Sequence, residues 1–241
     1  AEGSAVAYDT AAELWTARYN HETIALAFSI TEEAEEDGQY GSIGQRYVKA
    51  LARSMVHTKE IKASTILNNM FTSGTGGDGQ YLGVTTHPTG AGNQSNILAT
   101  AADLTETSLE QVLINISNMD DDRGIPIAAM GTKLVIPTAL AFIAERLTAS
   151  TLRTATADND INAVRSAGFL PQGYTVNNRL NDTDAWFVMT DVPDGLKMFQ
   201  RRALTRGMEG DFETGNIRYK TSERYSFGWT DWRGIFGTPG A

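Results

Sequence analysis

Cysteine is absent from this chain of 241 residues, and histidine occurs three times, at His21, His57 and His87. Without cysteine the chain has no disulfide, no thiolate metal ligand and no cysteine nucleophile. Three histidines leave little material for a histidine-rich metal centre. We therefore predict no cofactor, no metal site and no catalytic site. No apolar run approaches the roughly 18 residues of a membrane helix, so we also predict no membrane segment.

Positive charge is scarce as well. The chain has 20 Lys and Arg residues against 29 Asp and Glu residues, which gives a formal net charge of -9. Nonspecific binding to nucleic acid needs clustered cations that displace counterions, so such a chain is a poor nucleic-acid binder. Such a chain can nevertheless enclose nucleic acid without binding the nucleic acid tightly. A hydrophobic content of 41% excludes a wholly disordered chain, and the length allows one large domain or two small ones.

The N-terminal third contains two opposite periodicities. Apolar side chains alternate with small or polar ones, which predicts a strand with one buried face, at Ile24, Leu26, Phe28 and Ile30. The acidic residues that follow, 32–37, predict an exposed, mobile loop. Residues 43–71 then repeat apolar side chains at helical spacing. A helix of this length would span about 44 Å, which suggests an elongated molecule.

Further elements follow along the chain. We predict helices at 104–119, with Thr105 as N-cap, and at 138–149, after Pro137. Short strands are predicted at 81–85, 127–136, 174–176 and 186–190, with a glycine-rich turn at 73–79 and a loop at 87–95. The longest alternation, at 217–229, predicts an unusually long strand with Glu223 as a polar residue on its apolar side. We expect its sheet to have a core of Tyr225, Phe227, Trp229 and Trp232.

Four motifs resemble functional sites, and each is incomplete. The glycine-rich SGTGGDG at 73–79 lacks the lysine of a phosphate loop and is interpreted as a flexible turn. His21 and Glu22 begin a zinc motif whose second histidine position is Ala25. Residues 158–162 begin like a calcium loop but lack its glycine and final glutamate, which favours a polar loop. The aspartates at 120–122 could bind a hard cation, although acids at a helix C-terminus are also typical of a solvated turn.

Several segments are informative when they are taken together and in order. They are LNNMFTSGTGGDGQYL (67–82), HP (87–88), SN (95–96), DDRGIPI (121–127), LVIPTAL (134–140), LNDTDAWFV (180–188) and ERYSFGWTDWRGIFGTPGA (223–241). This series resembles the major capsid proteins of tailed bacteriophages, in particular the Mu-like major head subunit group. The resemblance extends from about residue 34 to the last residue.

The resemblance implies an α+β fold of the Hong Kong 97 type, with an N-arm, an E-loop, a spine helix, a peripheral domain and an axial domain. It assigns an N-terminal arm to 1–19, the E-loop to 20–42, the peripheral domain with its spine helix to 43–99, the axial domain to 100–204 and C-terminal strands of the peripheral domain to 205–241. An E-loop reaches over a neighbouring subunit, which makes subunit-interface candidates of Ile24, Leu26, Phe28 and Ile30.

The resemblance also implies a function. The chain would be the major capsid (head) protein, a structural protein and not an enzyme, which self-assembles into the icosahedral shell that encloses phage double-stranded DNA. Its partners would be copies of itself in hexamers and pentamers, a portal and cement proteins, and it would enclose DNA without specific binding. It would reside in the virion after assembly in the cytoplasm of the bacterial host. The sequence begins with Ala1, so upstream residues were either removed or left out; the resemblance is consistent with removal, because in that family a protease removes an N-terminal scaffolding segment during maturation.

Two alternatives stay open at this point. One is a nanocompartment shell encoded by the host, which has the same fold and holds protein cargo instead of a genome. The other is a metal-dependent hydrolase with an acidic site at 120–122. Particle size separates the hydrolase from both shells, and the contents of purified particles separate the two shells from each other.

Overall fold

The computed structural model describes residues 15–37, 40–153 and 160–241. Five α-helices lie in these ranges: α1 (Glu32–Glu36), α2 (Tyr40–Asn68), α3 (Glu106–Ser117), α4 (Ala141–Ala149) and α5 (Ala163–Ser166). They also contain nine strands: β1 (Glu22–Ile30), β2 (His87–Thr89), β3 (Gly92–Gln94), β4 (Gly131–Ile136), β5 (Tyr174–Val176), β6 (Trp186–Thr190), β7 (Leu196–Gly210), β8 (Ile217–Trp229) and β9 (Ile235–Thr238). None of the helices in this part of the chain is long and apolar enough to cross a membrane.

Helix α2 is the long helix that the apolar spacing predicts, shifted three residues toward the N-terminus and 29 residues in length. It packs against β1 and β8. Its buried side chains include Leu51 and Met55. The helix continues without interruption because it contains no proline and because its apolar residues form a stripe on the side that faces the strands.

A three-stranded antiparallel sheet has the order β1-β8-β7. Strand β8 has the predicted bounds, and β1 pairs with it from Glu22 opposite Tyr225 to Ile30 opposite Ile217. Strand β7 is not among the predicted strands, although it has 15 residues. Two register irregularities between Gln200 and Thr205 interrupt its alternation, so apolar and polar side chains do not follow a simple period of two.

A four-stranded sheet has the order β5-β4-β6-β9. Strand β9 is contributed by the C-terminus and pairs antiparallel with β6, from Trp186 opposite Thr238 to Met189 opposite Ile235. The principal core of the subunit surrounds this sheet. Fully buried members of this core include Trp186, Phe187, Phe236, Leu134, Ile136 and Ile235.

Helix α3 covers this core as the sequence predicts. Thr105 is its N-cap, and a capping box joins Thr105 and Ser108 through reciprocal hydrogen bonds between side chain and backbone. The apolar spacing buries Leu109, Val112 and Ile116. The helix predicted after Pro137 is confirmed too, as a short 3₁₀ turn that continues into α4.

Three local predictions are wrong. Residues 81–85 form no strand, because Leu82 is buried in an irregular segment whose neighbour Gly83 packs closely against Met70 and Phe71. Residues 87–95 are not a simple loop but contain the hairpin of β2 and β3. Strands of three residues are too short to show a periodicity. Part of the predicted acidic loop, 32–37, forms the helix α1.

Candidate functional site

The four predicted interface residues lie on one face of β1, the face directed at α2 of the same chain. Phe28 stacks on Tyr219 with 5.0 Å between ring centroids. Its ring centroid lies 5.7 Å from that of Tyr47, on α2. Ile30 is buried and Ile24 half-buried, whereas Leu26 is 44% exposed. These side chains therefore contribute first to packing within the subunit. Their contact with a neighbouring copy stays a prediction, for which Leu26 has the most free surface.

The hairpin of β7 and β8 carries apolar side chains into solvent. Nearly all of β7 is exposed, and at the turn between the strands Phe212 is 103% exposed. The other large apolar side chains exposed on this hairpin are Met198, Phe199, Leu204 and Met208. Exposure of apolar surface to water is unfavourable, so these side chains are candidates for contact with another surface.

A buried charge pair joins α2 to β8. Glu223, the polar residue on the apolar side of β8, has a carboxylate oxygen 2.5 Å from the Lys59 Nζ atom. The same ammonium group lies 5.1 Å from the centroid of the Tyr225 ring. Burial raises the pKa of Tyr225, and the negative charge of Glu223 raises it further. The pair holds the helix against the sheet and gives the polar residue a structural role.

A buried histidine joins the loop after α2 to the C-terminal segment. His87 is fully buried, its Nδ1 atom lies 2.7 Å from Asp78 Oδ2, and its ring stacks on Trp232 at 4.4 Å. A histidine oriented by an aspartate is also the arrangement of a general base. Here the Nε2 atom lies 3.3 Å from the Leu82 carbonyl oxygen and 3.3 Å from Asn96 Oδ1, inside the core. Both ring nitrogens are thus engaged within the protein, and the cluster is structural.

The aspartates at 120–122 are engaged in a turn. Asp121 accepts hydrogen bonds from the backbone N–H groups of Ile125 and Arg123, and the Ile125 bond is the largest cause of its lowered pKa. The Arg233 guanidinium donates to the Asp120 carbonyl oxygen and to Asp122 Oδ1, each at 2.8 Å. These contacts favour the solvated-turn interpretation over a cation site.

No group of three or more metal-ligating side chains occurs in the described part of the chain. Of the calcium-loop mimic, Asp158 lies outside the described residues. Asn162 accepts a hydrogen bond from the Arg165 backbone N–H and donates to the Leu147 and Ser150 carbonyl oxygens. Its side chain is therefore used to fix the start of α5.

The glycine-rich segment 73–79 is a turn, as predicted, and one of its glycines, Gly76, packs closely against a tryptophan ring. A Cβ atom on Gly76 would lie 1.9 Å from the Trp229 ring. The Gly76 N–H donates to the Gln80 carbonyl oxygen at 2.8 Å, so it does not point toward a ligand. A cavity of about 470 Å³ lies between this turn, α2 and the end of β8. Tyr225 lines it, and its buried hydroxyl group has no hydrogen-bond partner among the described residues.

A comparison with protein-family models identifies one family, and solved structures share the fold. A family model described as "Phage capsid protein" matches residues 15–237. A search of curated proteins gave no match. The capsid of Myoviridae phage XM1 aligns with 92% of this chain and 74% of its own, at 10% identity and a TM-score of 0.57. The capsid of cyanophage P-SCSP1u aligns with 99% of this chain and 80% of its own, at 13% identity and a TM-score of 0.54.

A related fold occurs outside phage capsids. The SrpI encapsulin complex from Synechococcus elongatus PCC 7942 contains a chain that aligns with 91% of this chain and 74% of its own, at 9% identity and a TM-score of 0.51. At such identities the likeness to solved structures concerns the fold alone. The family match carries the more specific information.

Proposed function

This chain belongs to the phage capsid protein family, and we propose that its copies close into hexamers and pentamers that form the icosahedral shell around phage double-stranded DNA. It is a capsid shell protein, and its α+β architecture is the Hong Kong 97-type fold that the sequence resemblance implies. The main support for assembly into hexamers, pentamers and a closed shell is the large surface that the single subunit leaves exposed.

That surface is large for the mass of the chain. The chain exposes 14743 Å². A compact monomer of 26.1 kDa would expose about 10,600 Å². The difference, about 4,200 Å², exceeds what the 22 residues outside the described ranges could expose at most, so the described elements contribute to it. Interfaces of standard size bury about 1,600 Å² in total, which leaves room for several neighbours around each subunit.

Contacts with several neighbours at once favour a closed shell. A single contact of standard size is only moderately stabilising after the cost of association is subtracted. A subunit that touches several copies gains from multivalency, because each further contact forms within an existing assembly. Contacts that join different surfaces of identical subunits produce rings when the rotation closes, and hexamers and pentamers are such rings.

We assign the elements to capsid domains as follows. Helix α2 and the β1-β8-β7 sheet form the peripheral domain, and the β5-β4-β6-β9 sheet with α3 and α4 forms the axial domain. The pairing of β9 with β6 supports a boundary after β8, with Ile235–Thr238 belonging to the axial side. Strand β7 begins at Leu196, which supports an earlier start of the second peripheral segment than residue 205.

The remaining partners of the shell follow from the same proposal. The shell would receive a portal and cement proteins, and it would assemble in the cytoplasm of the bacterial host. A net charge of -9 on each copy repels packaged DNA, which supports a container that releases its genome without adhesion.

Microscopy and chromatography of the purified full-length chain test the proposal. We expect elution in the void volume of a size-exclusion column and polyhedral particles in negative stain. A small particle that stays monomeric at high concentration under every assembly condition would contradict it.

The contents of the particles test the second candidate, a host nanocompartment, which the fold shared with the SrpI encapsulin favours. Particles isolated from phage-producing cells should contain double-stranded DNA that is protected from nuclease. Particles filled with one protein and free of nucleic acid would identify a nanocompartment.

A further inference from the structure

The cavity between α2, the glycine-rich turn and the end of β8 has walls from four separate parts of the chain. The fourth wall is segment 16–20, which precedes β1. The volume of about 470 Å³ lies within the range of about 300–1,000 Å³ that is typical of small-molecule sites. Because elements from both ends of the chain meet here, a molecule bound in the cavity would hold them together.

Close contacts fix the walls of this cavity. Strand β1 begins at Glu22, so residues 226–229 of β8 extend beyond β1 and leave room beside the sheet. The glycine-rich turn packs against segment 16–20, since a Cβ atom on Gly77 would lie 3.0 Å from the Thr16 backbone. The cavity is therefore formed by the packing of the subunit itself, as is usual for small-molecule sites.

The Tyr225 hydroxyl group is a hydrogen-bond donor in the wall of the cavity. Its side chain lies on the face of β8 that is covered by α2, where the Lys59 Nζ atom is 5.1 Å from the ring centroid. Tyr225 is 2% exposed, and its hydroxyl has no hydrogen-bond partner among the described residues. Burial raises the pKa of Tyr225, so the hydroxyl keeps its proton at neutral pH. A buried donor without an acceptor is unfavourable, and a ligand that presents an oxygen atom would satisfy it.

Aromatic and aliphatic side chains supply the apolar part of the lining. Phe227 and Trp229 follow Tyr225 at intervals of two residues, which places all three on one face of β8. The Phe227 ring meets the Tyr225 ring edge-on, with 5.3 Å between centroids. Ile66 and Leu82 add aliphatic surface to the lining. Aromatic rings pack favourably against further rings, so this part of the cavity favours a ligand with an aromatic body.

The charged side chains of the lining leave one positive charge in excess. They are Arg18, Glu22 and Lys62. Lys62 and Glu22 form an ion pair with each other. Arg18 is exposed and has no ion pair with a described residue, so its guanidinium group is available at the mouth of the cavity. A guanidinium group matches the geometry of a carboxylate, and a single excess charge suits a carboxylate better than a phosphate dianion.

We infer that this cavity is a binding site for a small aromatic carboxylate. The ring of the ligand packs beside Phe227 and Trp229, and its carboxylate pairs with Arg18. An oxygen atom on the ligand accepts the hydrogen bond of the Tyr225 hydroxyl. A neutral polar molecule such as a sugar fits less well, because it would leave the aromatic lining and the Arg18 charge without partners. The site belongs to the folded subunit and does not require assembly into a shell.

Three related probes test the contacts separately by calorimetric titration of the purified full-length chain. Phloretate is a phenol joined to a carboxylate by a flexible two-carbon chain. Hydrocinnamate lacks its hydroxyl group, and phloretamide lacks its charge. We expect phloretate to bind and each of the other two to bind about threefold to tenfold more weakly. Tyr225→Phe should abolish the preference over hydrocinnamate, and Arg18→Gln should abolish the preference over phloretamide.

Two threonines of α2 give a matched pair of variants. Thr58 and Thr65 each donate a hydrogen bond to the carbonyl oxygen of the residue four positions earlier. Thr65 lines the cavity and Thr58 does not. Thr65→Trp should fill the cavity and abolish binding of phloretate, whereas Thr58→Trp should bind it like the unchanged chain. Circular dichroism checks that each variant folds.

Three results would overturn the inference. The first is no binding of phloretate to the unchanged chain at concentrations up to about 10 mM. The second is equal affinity for all three probes, which would describe a cavity that holds water and accepts apolar molecules without recognition. The third is binding that persists unchanged in folded Thr65→Trp, which would place the ligand elsewhere. If Thr65→Trp does not fold, the preferences of Tyr225→Phe and Arg18→Gln still decide, and unchanged preferences in both variants overturn the inference.

Discussion

The Lys59 ammonium group lies 2.5 Å from the Glu223 carboxylate, so a charge pair joins the long helix to the long strand inside the subunit. The Glu223 side chain is 2% exposed and that of Lys59 is 30% exposed. The second carboxylate oxygen of Glu223 has no hydrogen-bond partner among the described residues. The buried charge of Glu223 therefore depends on Lys59 for its compensation.

Removal of Lys59 should be costly. Lys59→Met leaves a buried carboxylate unpaired, and we expect the free energy of unfolding to fall by about 3 kcal/mol, near the lower limit for broken buried pairs because Lys59 is partly exposed. The double variant Lys59→Met/Glu223→Leu should recover most of this loss. Urea unfolding of the unassembled chain measures both. A wild-type urea midpoint for Lys59→Met would show that the pair is not a source of stability.

Tyr225 should make the subunit sensitive to alkali. Its pKa is raised from the ordinary value of 10.0, chiefly by burial and then by the charge of Glu223. The folded state thus holds this proton more tightly than the unfolded state, so its contribution is fully present below pH 10.0 and is lost as pH rises through the folded-state pKa. Tyr225→Phe should be tolerated at neutral pH, because the buried hydroxyl has no hydrogen-bond partner among the described residues. Above pH 10.0 the variant should lose less stability than the wild type.

Urea midpoints of the wild type and Tyr225→Phe across the alkaline range provide the measurement. The two curves should separate above the ordinary tyrosine pKa, with the variant the more stable. Parallel curves would mean that the alkaline loss has another source.

Sequence-based predictions were correct for helices and strands whose own residues keep a regular apolar periodicity. Strand β8 keeps a period of two across 13 residues, and α2 and α3 keep helical spacing, so their apolar faces were evident. Strand β7 was missed because bulges break its alternation. The sequence identified Glu223 as a polar residue on an apolar face, but its partner Lys59 is distant in the chain and becomes adjacent only after folding. The orientation of Phe28 toward Tyr47 likewise depends on which element covers β1.

The close packing of the glycine-rich turn gives a matched pair of variants. A side chain at Gly76 would overlap the Trp229 ring, whereas Gly79 has open space but a φ of +76°. Gly79→Ala should cost about 1–2 kcal/mol through backbone strain alone. Gly76→Ala should lower stability and, unlike Gly79→Ala, should shift the tryptophan signal in near-ultraviolet circular dichroism, because the Trp229 ring must move. An unchanged tryptophan signal in folded Gly76→Ala would contradict this packing.

Trp232 should matter more than Trp229 for stability. Trp232 is 6% exposed and is flanked by the stacked His87 ring and by the Arg233 guanidinium, whose central carbon lies 4.4 Å from the ring centroid. Trp229 is half-buried. We expect Trp232→Ala to lower the free energy of unfolding by about 3–5 kcal/mol and Trp229→Ala by less. Chemical denaturation of both unassembled variants checks the order, and the reverse order would contradict it.

Phe212 should separate assembly from folding. It lies at the turn between β7 and β8 and is 103% exposed, so a polar replacement removes no packing within the subunit. Phe212→Ser should therefore leave the melting temperature of the unassembled chain unchanged. If the turn meets a neighbouring copy, the same change removes apolar area from a contact that recurs throughout the shell, where small losses add up through multivalency. We expect fewer closed particles by size-exclusion chromatography and negative-stain microscopy. Phe142→Ser, at an 83% exposed position on α4, serves as the matched control, and equal shell yields from the two variants would show that the hairpin turn has no special part in assembly.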